Sequence, residues 1–524
     1  MSSIVIAGLS WHTPNNSYLF NNLNLSFEPI RTGLVGRNGT GKTTLLRLIA
    51  GEILPATGTI TKSPSIGFLR QNPELPPKET LADLFGIQDQ FALLRRAEQA
   101  EATADDLLDA DWTLEARLEA SLSTMGLDQP LDTPISTLSG GQRMRARLAA
   151  LMFAEPDTLL LDEPTNHLDR AGRCLVIDAL RAWNGCVIVA SHDRKLLNAM
   201  DAIVELTSLG ALSYGGNYDE YREMKAAELA SAEAKLVRAE HALSSTHARA
   251  QLAAERKART DRQGKRLRAS GSQSKLVLNA ARERSQSSGS AAARLRNRQA
   301  LAAENAFEMA RADVEILQPL SIEIPPSGLV AGRDVLHLED LCFQYPDRPP
   351  LLEDISFAIR GPERVAIEGS NGSGKSTLLA CIHGDLQPQS GSVAVHVPMA
   401  LLDQDLSLLK AEETVREALA RLDPDASEND RRAVLARFLF RGEDVKQKIG
   451  ALSGGQRLRV GLACTLGHSQ PSQLLLLDEP SNHLDIEAIE TLEAALTHYD
   501  GAILAVSHDQ AFLDGIGVAR TLSL

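Results

Sequence analysis

Four short motifs occur twice in this 524-residue chain, in the same order. GRNGTGKT at 36–43 returns as GSNGSGKS at 369–376, and LSGGQR at 138–143 returns at 452–457. LLLDEPTNHLD at 159–169 returns as LLLDEPSNHLD at 475–485, and ASHD at 190–193 returns as VSHD at 506–509. An ordered repeat of this kind constrains the fold more than composition does: the chain must be a tandem duplication of one domain. The expected boundaries are 1–217 for the first copy, 218–325 for a middle segment and 326–524 for the second copy. The copies differ in length. The first carries 19 more residues between its GK lysine and its LSGGQ, and the excess falls in an Ala/Leu/Glu-rich stretch without Gly or Pro near 88–121. That composition predicts a short helical insertion with an acidic bias.

The motifs carry a definite chemistry. G-x-x-x-x-G-K-[ST] is a phosphate-binding loop, in which glycines let backbone N–H groups wrap phosphates at a helix N-terminus. The residues of the two loops are Gly36, Asn38, Gly39, Gly41, Lys42, Thr43 and Thr44, and Gly369, Asn371, Gly372, Gly374, Lys375, Ser376 and Thr377. The short β-rich runs RTGLVG and ERVAIEG precede them, and helical runs follow. Lys42 and Lys375 would reach the β- and γ-phosphates of ATP, and Thr43 and Ser376 would ligate Mg²⁺. The apolar runs that end at Asp162 and Asp478 read as buried parallel strands. Their terminal aspartates can hold Mg²⁺, and the following Glu163 and Glu479 can polarise a water for attack on the γ-phosphate. The expected fold class is therefore α/β, with two P-loop nucleotide-binding domains in tandem joined by a long α-helical hairpin.

LSGGQ resembles the signature of ATP-binding cassette (ABC) proteins, and the resemblance covers roughly 1–215 and 334–524. It implies an ATPase in which the signature of one domain caps the nucleotide on the other domain's P-loop. Ser139, Gly140, Gly141 and Gln142 would then face ATP on Lys375, and Ser453, Gly454, Gly455 and Gln456 would face ATP on Lys42. The resemblance also implies a Q-loop at Gln71 and Gln404 touching Mg²⁺, D-loops at Asp169 and Asp485, and switch histidines at His192 and His508. Tyr345 resembles the aromatic that stacks on adenine. In the first copy Thr13 aligns with that position, and Trp11, His12 and Tyr18 are the aromatic candidates.

What the cassettes drive is written in the middle segment. From Glu220 to Gln263 there is no Gly or Pro, and 44 such residues as helix would span about 66 Å. Gly264, Ser270-Gly271-Ser272 and SQSSGS at 285–290 are breakers, and a second Gly- and Pro-free run follows to Gln318. The pattern predicts a helical hairpin with its tip near 264–289. Between Arg249 and Arg298 there are 14 Lys/Arg and 3 acidic residues, although the whole chain has a formal net charge of −14. A one-signed patch of this kind is the electrostatic footprint of a phosphate-backbone binder. Arg259, Arg262, Lys265, Arg266, Arg268 and Lys275 are the expected RNA contacts. Aromatics are nearly absent there, which disfavours base stacking.

Tandem cassettes, a charged helical linker, NHLD in both D-loops and GGNYDEYRE after the first cassette resemble the ABC-F family. That resemblance implies a cytoplasmic, monomeric factor whose cassettes sit near the ribosomal E site. Its linker would reach P-site tRNA, and the insertion in its first cassette would contact the ribosome. The alternative is the ATPase subunit of a membrane importer. No run approaches 18 uninterrupted apolar residues, so no membrane insertion is expected. MSSIVIAGLSW is expected not to be a signal peptide, and no C-terminal coiled coil is expected in the sixteen residues after His508. The five cysteines form no C-x-x-C pair, which argues against a zinc or disulfide framework.

Overall fold

The computed structural model describes residues 3–13, 17–71, 79–98, 103, 110–166, 168–207, 210–269, 298, 301–309, 324–403, 406–440, 442–452, 454–467, 471–482 and 484–524. Two compact units are present. One comprises Met1–Tyr218 and Leu320–Leu524, and the other Asp219–Pro319.

The first unit holds both copies of the repeat, and each copy is built on the same two sheets. In the first copy the strands run in the order Ile66–Leu69, Thr158–Asp162, Cys186–Ala190, Arg31–Val35, Ala202–Thr207 and Gly210–Gly215. The first five pair in parallel and the last is antiparallel. The second copy repeats the pattern with Met399–Leu402, Leu474–Asp478, Ala502–Val506, Arg364–Glu368 and Arg520–Ser523, all parallel. Such strands are buried on both faces, one against helices and the other against the P-loop helix and the antiparallel sheet, which is why TLLLD and LLLLD are apolar without alternation. Leu159, Leu160 and Leu161, like Leu474 to Leu477, have no solvent exposure at all. A three-stranded antiparallel sheet completes each copy: Tyr18–Phe27, Ile4–His12 and Thr57–Thr61 in one, Pro350–Arg360, Asp334–Gln344 and Ser390–Val395 in the other.

The topology places the site. In each parallel sheet the strand that feeds the P-loop lies next to the strand that leads into SHD, which in turn pairs with the strand that leads into DE. All three end on one edge, and ligands of α/β sheets bind outside the carboxyl ends of strands. Helix caps repeat as faithfully as strands. Asp169 and Asp485 cap the helices Arg170–Ala182 and Ile486–Thr497, accepting from the Gly172 and Ala488 N–H groups at 2.8 and 2.9 Å.

The described residues at the two ends of the first copy's insertion are helical, and 99–102 and 104–109 lie outside the described residues. Gln88–Glu98 and Leu114–Thr124 are helices, and Ile87, Leu94, Leu114 and Leu118 bury a small core between them. One helix of 52 residues runs from Tyr218 to Ala269, all but its first residue in the second unit, about 78 Å at 1.5 Å per residue. The expected break at Gly264 is absent. A glycine costs a helix about 1 kcal/mol relative to alanine, and the uninterrupted Ala/Arg/Lys/Glu-rich neighbours on its N-terminal side carry the helix through it. The rest of the expected tip, 270–289, lies outside the described residues. All five cysteines are free thiols.

Candidate functional site

Each P-loop turns on a glycine that no other residue can replace without strain. Gly41 and Gly374 sit at φ 100° and 97°, at the N-termini of the helices Lys42–Ala50 and Lys375–His383. A Cβ on Gly41 would stand 2.6 Å from the Phe20 ring, and one on Gly374 would stand 2.8 Å from Leu352. The side chain of Lys42 curls back over its own loop, donating to the Gly36 and Arg37 carbonyls at 2.6 and 3.3 Å. Lys375 does the same to Gly369 and Ser370, at 2.9 Å each. Burial lowers the pKa of both lysines, opposed by the carboxylates of Glu163 and Glu479. A phosphate is the natural replacement for those carbonyls. There is room for one, because a Cβ at Gly39 or Gly372 would meet nothing within 4 Å.

The residues also fit a divalent cation. Asp162 accepts from the Thr43 hydroxyl and Asp478 from the Ser376 hydroxyl. Asp162 Oδ2 and Asp478 Oδ1 nevertheless remain buried without a hydrogen-bond partner. Burial raises both carboxyl pKa values. A hydroxyl beside a carboxylate with a spare, buried oxygen is a hard-donor set suited to Mg²⁺.

Glu163 and Glu479 follow directly, and both adopt a left-handed backbone, at φ 50° and 46°. Such a conformation costs a non-glycine residue about 1–3 kcal/mol and marks functional positions. It is held by the next strand: the Glu163 N–H donates to the Ala190 carbonyl at 2.8 Å and the Glu479 N–H to the Val506 carbonyl at 2.9 Å. The turn aims each carboxylate at the switch histidine. His192 Nε2 lies 3.3 Å from Glu163 Oε1, and His508 Nε2 lies 3.4 Å from Glu479 Oε1. The His508 N–H also donates to Glu479 Oε2 at 3.4 Å, and its ring Nε2 stands 3.2 Å from Asn371 Oδ1. Burial lifts the Glu163 carboxyl well above the usual carboxylate range, against the pull of Lys42. Glu479 is raised to about 7 by burial, held back chiefly by Arg173. The histidines move the other way: burial takes His192 well below its ordinary value and His508 down to about 4. A neutral imidazole beside a carboxyl that titrates near neutrality is suited to taking a proton from water.

Two cavities enclose these groups. The first, of about 540 Å³, contains Lys42, Thr43, Gln71, Asp162, Glu163 and His192, with Trp11 and Thr13 at one wall. The second, of about 490 Å³, contains Tyr345, Lys375, Ser376, Asp478, Glu479 and His508. Trp11 is the aromatic that faces the first cavity. Tyr18 is 63% exposed and packs its ring on His12, centroids 4.1 Å apart. In the second, Tyr345 is fixed by an edge-on contact with Phe343 and by its hydroxyl 3.3 Å from Thr377.

Each cavity is completed by the D-loop segment of the other cassette. Leu484 and Ile489 reach the first cavity, and Leu168 and Arg173 the second. Asp485 accepts from the Asn38 N–H at 2.7 Å, and Arg37 Nη2 donates to Glu487 Oε1 at 2.7 Å. Arg194 grips Glu493 with its two terminal guanidinium nitrogens, Nη1 and Nη2, at 2.7 and 3.1 Å. The expected meeting of signature and opposing P-loop is not seen among the described residues. Gly140, Gly141, Gln142, Gly454, Gly455 and Gln456 line neither cavity. The Ser139 hydroxyl instead accepts from the Gln142 N–H at 3.2 Å, closing a capping box on its own helix. Gly455 faces Ala488 of its own cassette. Ser453 and Gln404 lie outside the described residues.

Of the expected RNA contacts, Arg259 and Arg262 are exposed on the helix Tyr218–Ala269. The side chains of Lys265, Arg266 and Arg268, on the same helix, and the whole of Lys275 lie outside the described residues. Motif reading passed over Arg37, Arg173, Arg194, Glu487 and Glu493. A signal was present: at the equivalent places the other copy has Ser370, Ile489, Gln510, Ala171 and Ile177.

The family model described as "ABC transporter" matches residues 20–166 and 352–482. The chain is 34% identical over 525 residues to the energy-dependent translational throttle protein EttA of Mycobacterium tuberculosis (strain ATCC 25618 / H37Rv), covering 95% of this chain and 87% of that protein. The protein of the same name from Escherichia coli (strain K12) is 32% identical over 535 residues, covering 96% and 89%. A putative ATP-binding protein of Bacillus subtilis (strain 168), YdiF, is 32% identical over 527 residues, covering 94% and 75%. Among solved structures, archaeal ribosome recycling factor aABCE1, in complex with the stalk protein aP1, aligns with a TM-score of 0.56 at 20% identity, over 98% of this chain and 87% of that one. RNase-L Inhibitor aligns with a TM-score of 0.55 at 19% identity, over 99% and 87%. At those identities the structural likeness is one of fold.

Proposed function

Because this chain belongs to the ABC-F family of ATP-binding cassette proteins and hydrolyses ATP, we propose that it is a translation factor that works on the ribosome. In this reading it binds near the E site as a cytoplasmic monomer, and its basic linker contacts P-site tRNA and ribosomal RNA. One observation carries the reading: relatives named as translational throttles align over 95% of the chain, the linker included. The exposed Arg259 and Arg262 on a long helix support it. The described residues contain no helix long and apolar enough to cross a membrane.

ATP is the substrate, bound at each P-loop. Lys42 and Lys375 would exchange their loop carbonyls for β- and γ-phosphate oxygens, and Trp11 and Tyr345 would face the adenine. Mg²⁺ held by Thr43 and Asp162, or by Ser376 and Asp478, supplies neutralisation of phosphate charge. Glu163 and Glu479 would each accept a proton from the attacking water, and His192 and His508 would hold the γ-phosphate side of the site. Two bound ATP molecules would favour a further closure that brings Ser139 and Ser453, with their glycines, onto the opposing nucleotides. Hydrolysis would reverse it, so the ribosome-bound and free forms are the ends of one ligand-biased equilibrium.

The test is the double variant E163Q/E479Q. It should bind ATP with unchanged affinity, lose hydrolysis, and co-sediment with ribosomes in ATP more strongly than the parent. Hydrolysis at the parental rate would sink the glutamate roles. Co-sedimentation that ignores ATP in both proteins would sink the ribosome reading.

A further inference from the structure

The two ATP sites have the same motifs but different opposite walls. The first turn of the helix Arg170–Ala182 places Arg173 at the second site, and the same turn of Ile486–Thr497 places Ile489 at the first. Ile489 is 2% exposed and carries no charge. Arg173 is held at three points. Its Nε donates to the Leu168 carbonyl of its own D-loop at 3.2 Å. Its Nη1 donates to the His508 carbonyl at 3.5 Å and stands 3.6 Å from Asp193 Oδ2. The side chain is only 14% exposed, so the guanidinium is fixed rather than waving in solvent.

The contact with His508 reaches the reacting groups in one step. The same residue whose carbonyl accepts from Arg173 uses its N–H to hold Glu479 Oε2, at 3.4 Å, and its ring to touch Asn371 of the P-loop. Arg173 thus steadies the segment that orients the water-activating carboxylate, and it sets a fixed positive charge on the wall of a cavity built for phosphate. A preorganised cation near developing phosphate charge favours transfer. Among the described residues the first site receives no such cation from the opposite cassette: the residue that cassette 2 sends toward Glu163 and His192 at this helix position is Ile489. Arg173 also borders the first cavity beside Asp193, the residue after the switch histidine of that site. One guanidinium therefore spans the D-loop of cassette 1, the switch segment of cassette 1 and the switch segment of cassette 2.

We propose that Arg173 is a positioning residue acting across the cassette interface, which makes the two ATP sites inequivalent and gives the Glu479 site the faster hydrolysis. The inference rests on the reading of Glu163 and Glu479 as the water-activating carboxylates. The experiment uses the full chain in two backgrounds, E163Q, where hydrolysis depends on Glu479, and E479Q, where it depends on Glu163. R173I installs the side chain that cassette 2 has at this place. In the E163Q background it should lower kcat about tenfold or more with little change in KM, and R173K should recover part of the loss. The fold-drop in the E163Q background divided by that in the E479Q background is the deciding number: above about threefold supports the proposal, and at or below about threefold overturns it. Where R173I yields no folded protein, R173Q is read against the same threshold. The double variant E163Q/E479Q separates the two failures. If it still hydrolyses ATP, the glutamate assignment falls; if it is silent and the drops are equal, only the role of Arg173 falls.

Discussion

Replacing Arg194 with Met tests what joins the cassettes. The Arg194–Glu493 pair is bidentate, at 2.7 and 3.1 Å, and its side chains are 9% and 14% exposed. Such a pair is not a surface ion pair, whose median worth is about 0–1 kcal/mol. Two charge-assisted hydrogen bonds at about 1.5–3 kcal/mol each bound the gross loss. Stranding a buried carboxylate costs about 3–5 kcal/mol. Proton uptake by Glu493 limits that cost, so R194M should lose about 3 kcal/mol at pH 8. R194M/E493L should recover most of the loss, because an apolar pair avoids desolvating two charges. The assay is urea unfolding followed by tryptophan fluorescence, since all three tryptophans, Trp11, Trp112 and Trp183, lie in the first cassette. Midpoints are compared at constant slope across the four-member cycle. The pH dependence has a defined sign. Burial already raises the Glu493 pKa above 4.5 despite the guanidinium, which itself is raised by the pair; desolvation of the carboxylate is the larger effect. Without Arg194 the native state binds a proton that the unfolded chain does not, so the deficit should grow as pH rises through the native pKa and shrink toward pH 4.5. A loss below about 1 kcal/mol, or a double variant no more stable than R194M, would refute the reasoning.

Two further outcomes concern ligands. R259Q/R262Q should weaken ribosome binding and flatten the plot of log K against log salt by about 1.4–1.8, at 0.7–0.9 for each phosphate no longer neutralised; an unchanged slope in a co-sedimentation salt series counts against RNA backbone contact at these positions. In a K375A background, which isolates the first site, W11A should raise the Kd of a fluorescent ATP analogue about tenfold, from loss of base stacking. Y18A should leave that Kd within about twofold, and a larger effect from Tyr18 than from Trp11 would reverse the adenine assignment.

Much of the site was legible because its chemistry is local. A P-loop needs its glycines, lysine and hydroxyl within eight residues, and the fold needs Asp162 and Asp478 at the ends of buried strands. Both facts are visible in GRNGTGKT and LLLDEP. The left-handed turn at Glu163 and Glu479 was not legible, because it is imposed by a hydrogen bond from a distant strand, Ala190 or Val506, and not by the residue itself. Gly264 misled for a similar reason: a local penalty of about 1 kcal/mol does not end a helix whose neighbours favour it. The choice among Trp11, His12 and Tyr18 depended on a β-strand with three register irregularities, where alternation no longer predicts which face a side chain takes. Contacts between the copies were the least legible, since Arg173 and Ile489 acquire meaning only when one cassette is laid across the other.

The helix Ile486–Thr497 presents Glu487 and Glu493 to Arg37 and Arg194 of the first cassette, and Glu490 to the hydroxyl of Tyr218, the first residue of the long helix. Its sister helix carries Ala171, Cys174 and Ile177 at those places. Among the described residues the ion pairs across the interface all take their cation from the first cassette and their carboxylate from the second, a polarity that bears on which halves can mate. Two first cassettes would bury Arg194 against Ile177, a cation without a counter-charge. Two second cassettes would set Glu493 opposite Gln510 and Glu487 opposite Ser370, carboxylates without a cation. Either mismatch strands a buried charge at a cost of about 3–5 kcal/mol. A duplicated domain ordinarily risks pairing with copies of itself on other chains. Here a pairing of like halves would leave a charge unmatched and the pairing of neighbours does not, so the covalent linker and the charge pattern favour the same partnership.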